Sequence, residues 1–493
     1  MNNEYMWDFP LIADTYKQIH RDCYPAGMTK LVSYLVPRKS MFEKQQKVVV
    51  FGIQAFIKNF KENADAWFAK PTSEVIADYE KKMNLQLGPG NYETNHIEKL
   101  HRLGYLPLKI KALPEGSLVN MGVPIVSVEN TDPDFAWLAQ WTECWLQGEV
   151  WKPCNDATAG YMYYKIAKKW YDKTTDGADP RMAASDFGMR GMSCMEEACK
   201  TSAAWLISFN KTSTVPAISW LDYFYNADCS YNHLGIGAVS IEHSVVSSNV
   251  ATGISEKELI LKLLKQYKNF SYVADTYDYW GIVKNVLPEI KEEILAHEGK
   301  ILIRPDSGDQ YENVIQTVQS LWETFGGTEN KKGYKVLNPH VGIILGDGCT
   351  LKQVEKIWKK LDEMKFAATN CLFGVGAFCF HAFFEGDKMI VSTRDTFFMA
   401  QKTTYIKTAE GKEFFILKDP KTDTDKVKKS HAGLVYVRKT LNGYEAIDHL
   451  YESDYNALCA QHPDELREVF INGHFVSKSN LMDIRSRLSK EVD

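Results

Sequence analysis

Residues 300–308 read Lys-Ile-Leu-Ile-Arg-Pro-Asp-Ser-Gly, an apolar, β-branched run that breaks at Arg304, Pro305, Asp306, Ser307 and Gly308. The run reads as a buried strand, and an arginine and an aspartate at its mouth are costly unless something there uses them. A cation beside a carboxylate, with serine and glycine offering hydroxyl and backbone N–H groups, suits a phosphorylated sugar. The arginine meets phosphate and the carboxylate meets hydroxyls or a metal ion. The N-terminus of the helix expected from about Tyr311 to Phe325 favours the anion. Taken alone, the same residues also fit a structural Arg–Asp pair that closes a turn.

The pattern recurs along the chain. Ile343-Ile344-Leu345 runs into Gly346-Asp347-Gly348, with Thr350 placed to cap a helix. Tyr272-Val273-Ala274 runs into Asp275 and a helical segment near Tyr277 to Leu295. Met182-Ala183-Ala184 runs into Asp186-Phe187-Gly188-Met189-Arg190-Gly191 before another helix, and a further strand ends at Phe373 with Gly374 and Gly376 after it. Successive strand–loop–helix steps predict a parallel βα architecture. Asp, Arg and Gly repeated at strand C-terminal ends predict one active-site face, as in (β/α) barrels.

The chain has 493 residues and a formal net charge of −5, so it has room for two or three domains and no global field toward nucleic acid. The short run Lys426, Lys428, Lys429 reads as a solvated loop. Ten cysteines show neither Cys-x-x-Cys nor zinc-ligand spacing, which fits free thiols in a reducing cytoplasm. Met1 to Phe9 contains Glu4 and Asp8 and lacks the apolar core of a signal peptide. No apolar run reaches the ~18 residues of a membrane span.

Both chain ends differ from the middle. Leu31–Val36, Val48–Phe51, Leu106–Ala112 and Val123–Val128 are strand-like, as are Thr403–Thr408 and Glu413–Leu417 around an Ala-Glu-Gly turn. Asn442-Gly443 after Leu434–Thr440, and Asn472-Gly473 after Phe470-Ile471, signal hairpins. The expectation is an α/β chain with a β-rich domain built from residues 1–152 and 396–493, and an α/β barrel over 153–395.

Read together, these motifs resemble the nicotinamide phosphoribosyltransferase family. The resemblance rests on Leu11-Ile12-Ala13-Asp14-Thr15-Tyr16-Lys17 with His20 and Tyr24-Pro25, and on Val128-Glu129-Asn130-Thr131-Asp132-Pro133. The Asp186–Gly191 motif, Glu242-His243-Ser244, Asp275-x-Tyr277-Asp278, Arg304–Gly308, Gly346-Asp347-Gly348 and Thr393-Arg394-Asp395 follow in family order. It implies an irregular (β/α) barrel of type II phosphoribosyltransferases joined to a β-rich domain, in a head-to-tail homodimer with shared active sites. The implied reaction joins nicotinamide to 5-phosphoribosyl-1-pyrophosphate with Mg²⁺ and releases pyrophosphate, with ATP as co-substrate.

The resemblance also implies roles. Phe187 and the other subunit's Tyr16 sandwich the pyridine ring, with Asp14 and Ser271 also at the substrate. Arg38, Arg190, Arg304, Arg394 and Lys402 meet phosphates, while Gly346 and Gly376 let backbone N–H groups approach. Asp306 and Asp347 face the oxocarbenium-like ribosyl centre, and Asp275 supports the hydroxyl and Mg²⁺ network. The metal is held through substrate phosphates. His243 matches the position that ATP phosphorylates. No Gly-x-x-x-x-Gly-Lys-Ser/Thr loop is present, so ATP would use the substrate's own phosphate site.

Departures from the pattern matter. Ser213 stands where the family has an aspartate that accepts the nicotinamide amide, between the anchors Leu206, Phe209, Thr214 and Val215. The family's Gly-Tyr-Ser-Val run is replaced around Gly235-Ile236-Gly237-Ala238, and the segment Ala377–Ser392 is longer than the family's. Ser213 leaves a nicotinate-using or dual-specificity enzyme open. A sugar-phosphate-binding barrel without transferase activity is the reading of another class. A barrel lyase or aldolase lacks its Schiff-base lysine at a strand end, and the acidic pair before Thr-Thr-Gly of type I phosphoribosyltransferases is absent.

Overall fold

The computed structural model describes residues 9–422 and 428–492. The expectations for Met1–Asp8 and Lys426 lie outside these residues. Six parallel strands form a curled sheet in the order Lys211–Thr212, Ala184–Phe187, Cys371–Gly376, Val341–Leu345, Lys300–Arg304, Asn269–Val273. Its two outer strands do not pair. The irregular segment 236–241 lies between them, with parallel bridges Lys211↔Ile236 on one side and Ser240↔Ser271 on the other. Thr212 N–H donates to Ile236 O at 3.3 Å and Ser271 N–H to Val239 O at 2.8 Å. This short stave closes the barrel, which is why the barrel is irregular.

The expected helices follow the strands. Gln310–Phe325 is capped by Asp309, Leu351–Glu363 by Thr350, and Met195–Trp205 begins after Cys194. The segment expected as one helix from Tyr277 to Leu295 is broken instead. It comprises Tyr279–Gly281, a π-helical turn Ile282–Val286, Leu287–Glu289 and Lys291–Ala296. Pro288 removes a backbone donor, and the chain leaves helical geometry at Ile290. The strand expected to end at Phe373 continues to Gly376, and Gly374 pairs with Ser185. The Ala377–Ser392 segment is a short helix, Phe378–His381, and a hairpin of Ala382–Glu385 with Lys388–Val391.

Both chain ends build one antiparallel sheet. Its seven strands run Glu413–Phe415, Ala400–Thr408, Met28–Val36, Val126–Asn130, Leu108–Ala112, Arg467–Ile471 and His474–Phe475. Three helices, Ile53–Phe68, Thr72–Gln86 and Asn95–Leu103, accompany it within the first 152 residues. Lys402 and Tyr34 face each other in its register, and Thr29 Oγ1 donates to Lys407 O across 378 residues of chain.

The boundary expected at 152/153 falls inside a single 32-residue helix, Glu143–Thr174. Pro153 sits inside the helix with its ring against Gly52. That glycine has φ 96°, and a Cβ there would meet Pro153 Cβ at 2.8 Å. Every residue from Lys152 to Tyr161 is buried. The helix therefore enters all three apolar cores: Leu146 and Val150 in the antiparallel half, Tyr163 and Trp170 in the barrel, Ala157 and Tyr161 between them.

Candidate active site

The barrel mouth collects most of the residues singled out from the sequence. Strand Lys300–Arg304 delivers Arg304, whose Nη1 donates to Ser240 Oγ on the closing stave at 2.8 Å. Arg304 Nε lies 3.8 Å from Asp306 Oδ1, and Asp306 Oδ2 lies 3.4 Å from His243 Nε2. His243 Nδ1 is 3.1 Å from Thr276 Oγ1, and Asp306 N–H donates to Asp275 Oδ2 at 3.1 Å. Asp306 thus faces a guanidinium on one side and an imidazole on the other. Burial pushes the Arg304 pKa down, Asp306 and Asp275 oppose that, and neighbouring Arg190 adds to it.

Three polar atoms at this mouth are buried without a hydrogen-bond partner: Ser271 Oγ, Asp275 Oδ1 and Arg304 Nε. Orphans of this kind in a native interior call for a ligand or an ion, because each costs free energy when left unpaired. Ser271 is only 1% exposed and pairs across the barrel closure with Ser240.

The next strands bring an aromatic wall. Phe187 ends its strand beside Gly376, and its ring lies so close to Gly374 that a Cβ there would stand 2.9 Å from the ring. Gly346 is also closely approached, since a Cβ would fall 3.0 Å from Asp306 Oδ1. Arg190 and Asp347 are exposed on the loops that follow. Gly348 turns the Asp347 loop with φ 65°. Ser213 is exposed, its N–H donating to Asp186 O at 2.9 Å.

The remaining candidates form a second group. Arg38 and Lys402 line a cavity of about 280 Å³ together with Lys429 and His431, and none of the barrel-mouth residues lines it. Arg38 Nε donates to Phe398 O at 3.0 Å, and Arg394 pairs with Asp395 at 2.7 Å. Asp14 accepts a weak hydrogen bond from the Cys144 thiol at 3.3 Å. Tyr16 leaves its ring 52% exposed, while burial of its hydroxyl and then Asp14 push its pKa up to about 12.

Glu143 holds this second group together. At the start of the long helix it takes Lys17 at 2.5 Å and Lys402 at 2.7 Å, tying the Tyr16 segment to the cavity. The same helix reaches the barrel loops. Asn155 donates to Thr393 O at 3.0 Å, beside Arg394, and Tyr163 donates to Cys349 O at 2.7 Å, beyond Asp347. Sequence reading did not find Glu143, because its lysines lie 126 and 259 residues away. Ser240 and Thr276 were also missed; the only signal was their nearness in sequence to His243 and Asp275.

The (β/α) closure with an added antiparallel sheet defines a type II phosphoribosyltransferase fold. Two solved structures share it. One is a nicotinate-nucleotide pyrophosphorylase from Pyrococcus furiosus (TM-score 0.60, 15% identity, 100% of this chain and 98% of that one). The other is human nicotinic acid phosphoribosyltransferase (TM-score 0.56, 14% identity, 97% and 93%). Residues 182–474 match the nicotinate phosphoribosyltransferase (NAPRTase) family and residues 8–67 the nicotinamide phosphoribosyltransferase N-terminal domain. The chain is 34% identical to a nicotinamide phosphoribosyltransferase of Acinetobacter baylyi, covering 97% of each. It is 28% identical to one of Xanthomonas campestris pv. campestris, covering 98% of each. The chain belongs to the nicotinamide phosphoribosyltransferase family and is a pentosyltransferase.

Glu143 gives a pH-dependent prediction. Burial alone would raise its pKa, but Lys17 and Lys402 outweigh that and hold it below the usual 4.5. A depressed carboxylate stabilises the fold above its unfolded pKa and loses that contribution as pH falls through the folded value. Glu143→Gln should therefore cost about 1–3 kcal/mol at pH 7, between the values for exposed and buried pairs. The gap from wild type should close as pH falls below the usual carboxylate range, through the depressed folded value. Unfolding midpoints of both proteins against pH measure it.

Proposed function

We propose that this enzyme transfers the phosphoribosyl group of 5-phosphoribosyl-1-pyrophosphate to nicotinamide, forming nicotinamide mononucleotide and pyrophosphate in NAD salvage in the cytoplasm. The observation that carries the reading is the set of orphaned polar atoms of Ser271, Asp275 and Arg304 at C-terminal ends of the sheet whose Phe187 also ends a strand, in a chain whose relatives bear that name. A flat pyridine ring stacks on Phe187 without engaging its nitrogen lone pair. Arg304 and Arg190 hold phosphate. As the C1–pyrophosphate bond breaks, positive charge grows on the ribosyl carbon, and Asp306 and Asp347 stabilise it electrostatically while the ring nitrogen forms the new bond. Positioning, with no covalent protein intermediate on the sugar, supplies most of the acceleration.

Among the described residues no group of three or more His, Cys, Asp and Glu side chains is placed to hold a metal ion. Mg²⁺ fits as a phosphate-borne ion, with the unpartnered Asp275 Oδ1 and the carboxylates of Asp306 and Asp347 as hard oxygen donors. When bound it would neutralise charge on the leaving pyrophosphate.

The test is product formation from phosphoribosyl pyrophosphate with nicotinamide, nicotinate or quinolinate, each with and without ATP. Ser213 favours a second reading, a weakened choice between the first two bases. A carboxylate there would repel nicotinate by about 4 kcal/mol at ~4 Å and an effective dielectric near 20. Serine removes that charge, and its hydroxyl both donates and accepts. Ser213→Asp should raise the nicotinamide-to-nicotinate ratio of kcat/KM at least tenfold, about 1.4 kcal/mol. If wild type already rejects nicotinate as strongly as the variant, another residue sets the choice.

ATP coupling runs through His243, half exposed at the start of its helix with Asp306 and Thr276 on either side. An imidazole nitrogen takes the terminal phosphoryl group of ATP, ADP leaves, and the added charge strengthens binding of Mg²⁺ and pyrophosphate. His243→Ala should abolish ATP hydrolysis and ATP stimulation while slower basal transfer persists. Acid-labile phosphate on His243, sought by mass spectrometry after incubation with ATP, checks the same step.

Because Tyr16, Asp14, Arg38 and Lys402 lie with the antiparallel half and not on the barrel-mouth strands, the active unit is a homodimer in which this group completes the partner's site. Tyr16→Ala and Asp306→Ala should each be inactive, and mixing them should restore activity through hybrid dimers. Proven subunit exchange without recovery would show that Tyr16 serves its own chain.

A further inference from the structure

We infer that Asp186 is the positioning residue of the base site, fixing the Phe187 ring and Ser213 relative to each other. Its side chain is fully buried, yet no cation is paired with it among the ion pairs of the described residues. The carboxylate instead accepts from neutral groups only. Oδ1 takes Gly188 N–H at 2.7 Å; Oδ2 takes the hydroxyls of Ser202 at 2.5 Å, Thr212 at 2.6 Å and Thr214 at 3.1 Å. The Asp186 carbonyl accepts Ser213 N–H at 2.9 Å.

These donors sit on three separate pieces of chain. Gly188 follows Phe187, Thr212 and Thr214 flank Ser213, and Ser202 lies on the helix Met195–Trp205 behind the sheet. A buried carboxylate is expensive unless its oxygens are filled by hydrogen bonds, so moving any one donor away leaves charge uncompensated. The charge therefore acts as a latch with one geometry. Gly188 packs tightly on the carboxylate: a Cβ there would lie 3.0 Å from Asp186 Oδ1 and push against it. The latch sets how wide the gap is between the Phe187 ring and the Ser213 hydroxyl, and hence how a pyridine ring is held. This deepens the proposed function and rests on it. The strand pairs Asp186 with Val375, two strands away from Lys300–Arg304, and none of the carboxylate's hydrogen-bond partners is Arg304 or Asp306.

The test compares Thr212→Val, which keeps shape and loses the donor, with Thr212→Ser, which keeps the donor, alongside Asp186→Asn. In folded protein, Thr212→Val and Asp186→Asn should raise KM for nicotinamide at least fivefold while KM for phosphoribosyl pyrophosphate stays within twofold. Thr212→Ser should stay near wild type for both. Unchanged nicotinamide KM, or a parallel rise in both KM values, overturns the role. If Asp186→Asn does not fold, the Thr212 pair decides alone, and if Thr212→Val also fails, Ser202→Ala is read by the same criteria. Wild-type turnover is measured first: an enzyme inactive on nicotinamide overturns the proposed function as well, whereas an active enzyme with insensitive variants overturns the latch only.

Discussion

Closure of the parallel barrel is the constraint on which the site depends. A parallel sheet left open exposes two edges of unpaired backbone groups, and closure removes them. Here the six strands leave a gap between Lys211–Thr212 and Asn269–Val273, filled by the irregular stave 236–241. Because the stave is short and leaves the barrel at its mouth, the residues that follow it, Glu242 and His243, begin a helix over the opening. Ser240 is placed to receive Arg304, and Ser271 is pinned beneath it. The contact between Asp306 and His243 thus follows from how the barrel is sealed.

The long helix supplies the second element of order. It is buried on nearly all sides along its middle because three cores meet there, so it works as a rigid beam and not as a surface amphipathic helix. Its first turn carries Glu143, and its middle carries Asn155 and Tyr163. Loops bearing Arg394 and Asp347 and the segment bearing Tyr16 are thereby referenced to one body. Residues that belong to two different surfaces of the chain keep a fixed spacing through it.

Sequence alone exposed the strand-end chemistry well, because Arg, Asp and Gly at the ends of β-branched runs have few other reasons to be there. Arg304, Asp306, Asp275 and Phe187 stand together at the mouth as that pattern requires. The long helix escaped notice because burial on all faces erases the 3.6-residue periodicity by which helices are read. Glu143 and Asp186 were illegible for a different reason. Asp186 was visible as the first letter of a motif, but its value lies in hydroxyls at 202, 212 and 214 that only the fold brings to it. Gly374 was visible only as a residue after a strand, and nothing in the sequence said that the Phe187 ring would lie against it.

The antiparallel sheet has a consequence for synthesis. Strand Met28–Val36 pairs on one side with Val126–Asn130, which emerges soon after it, and on the other with Ala400–Thr408. The bond from Thr29 to Lys407 joins residues 378 apart. At about 5–20 residues per second, a ribosome needs roughly 20 to 75 s to deliver the second partner. Throughout that interval the nascent chain carries a long, apolar strand with one open edge, while the barrel strands are still being made. The antiparallel sheet therefore cannot be completed until the last fifth of the chain has been made, after every strand of the barrel.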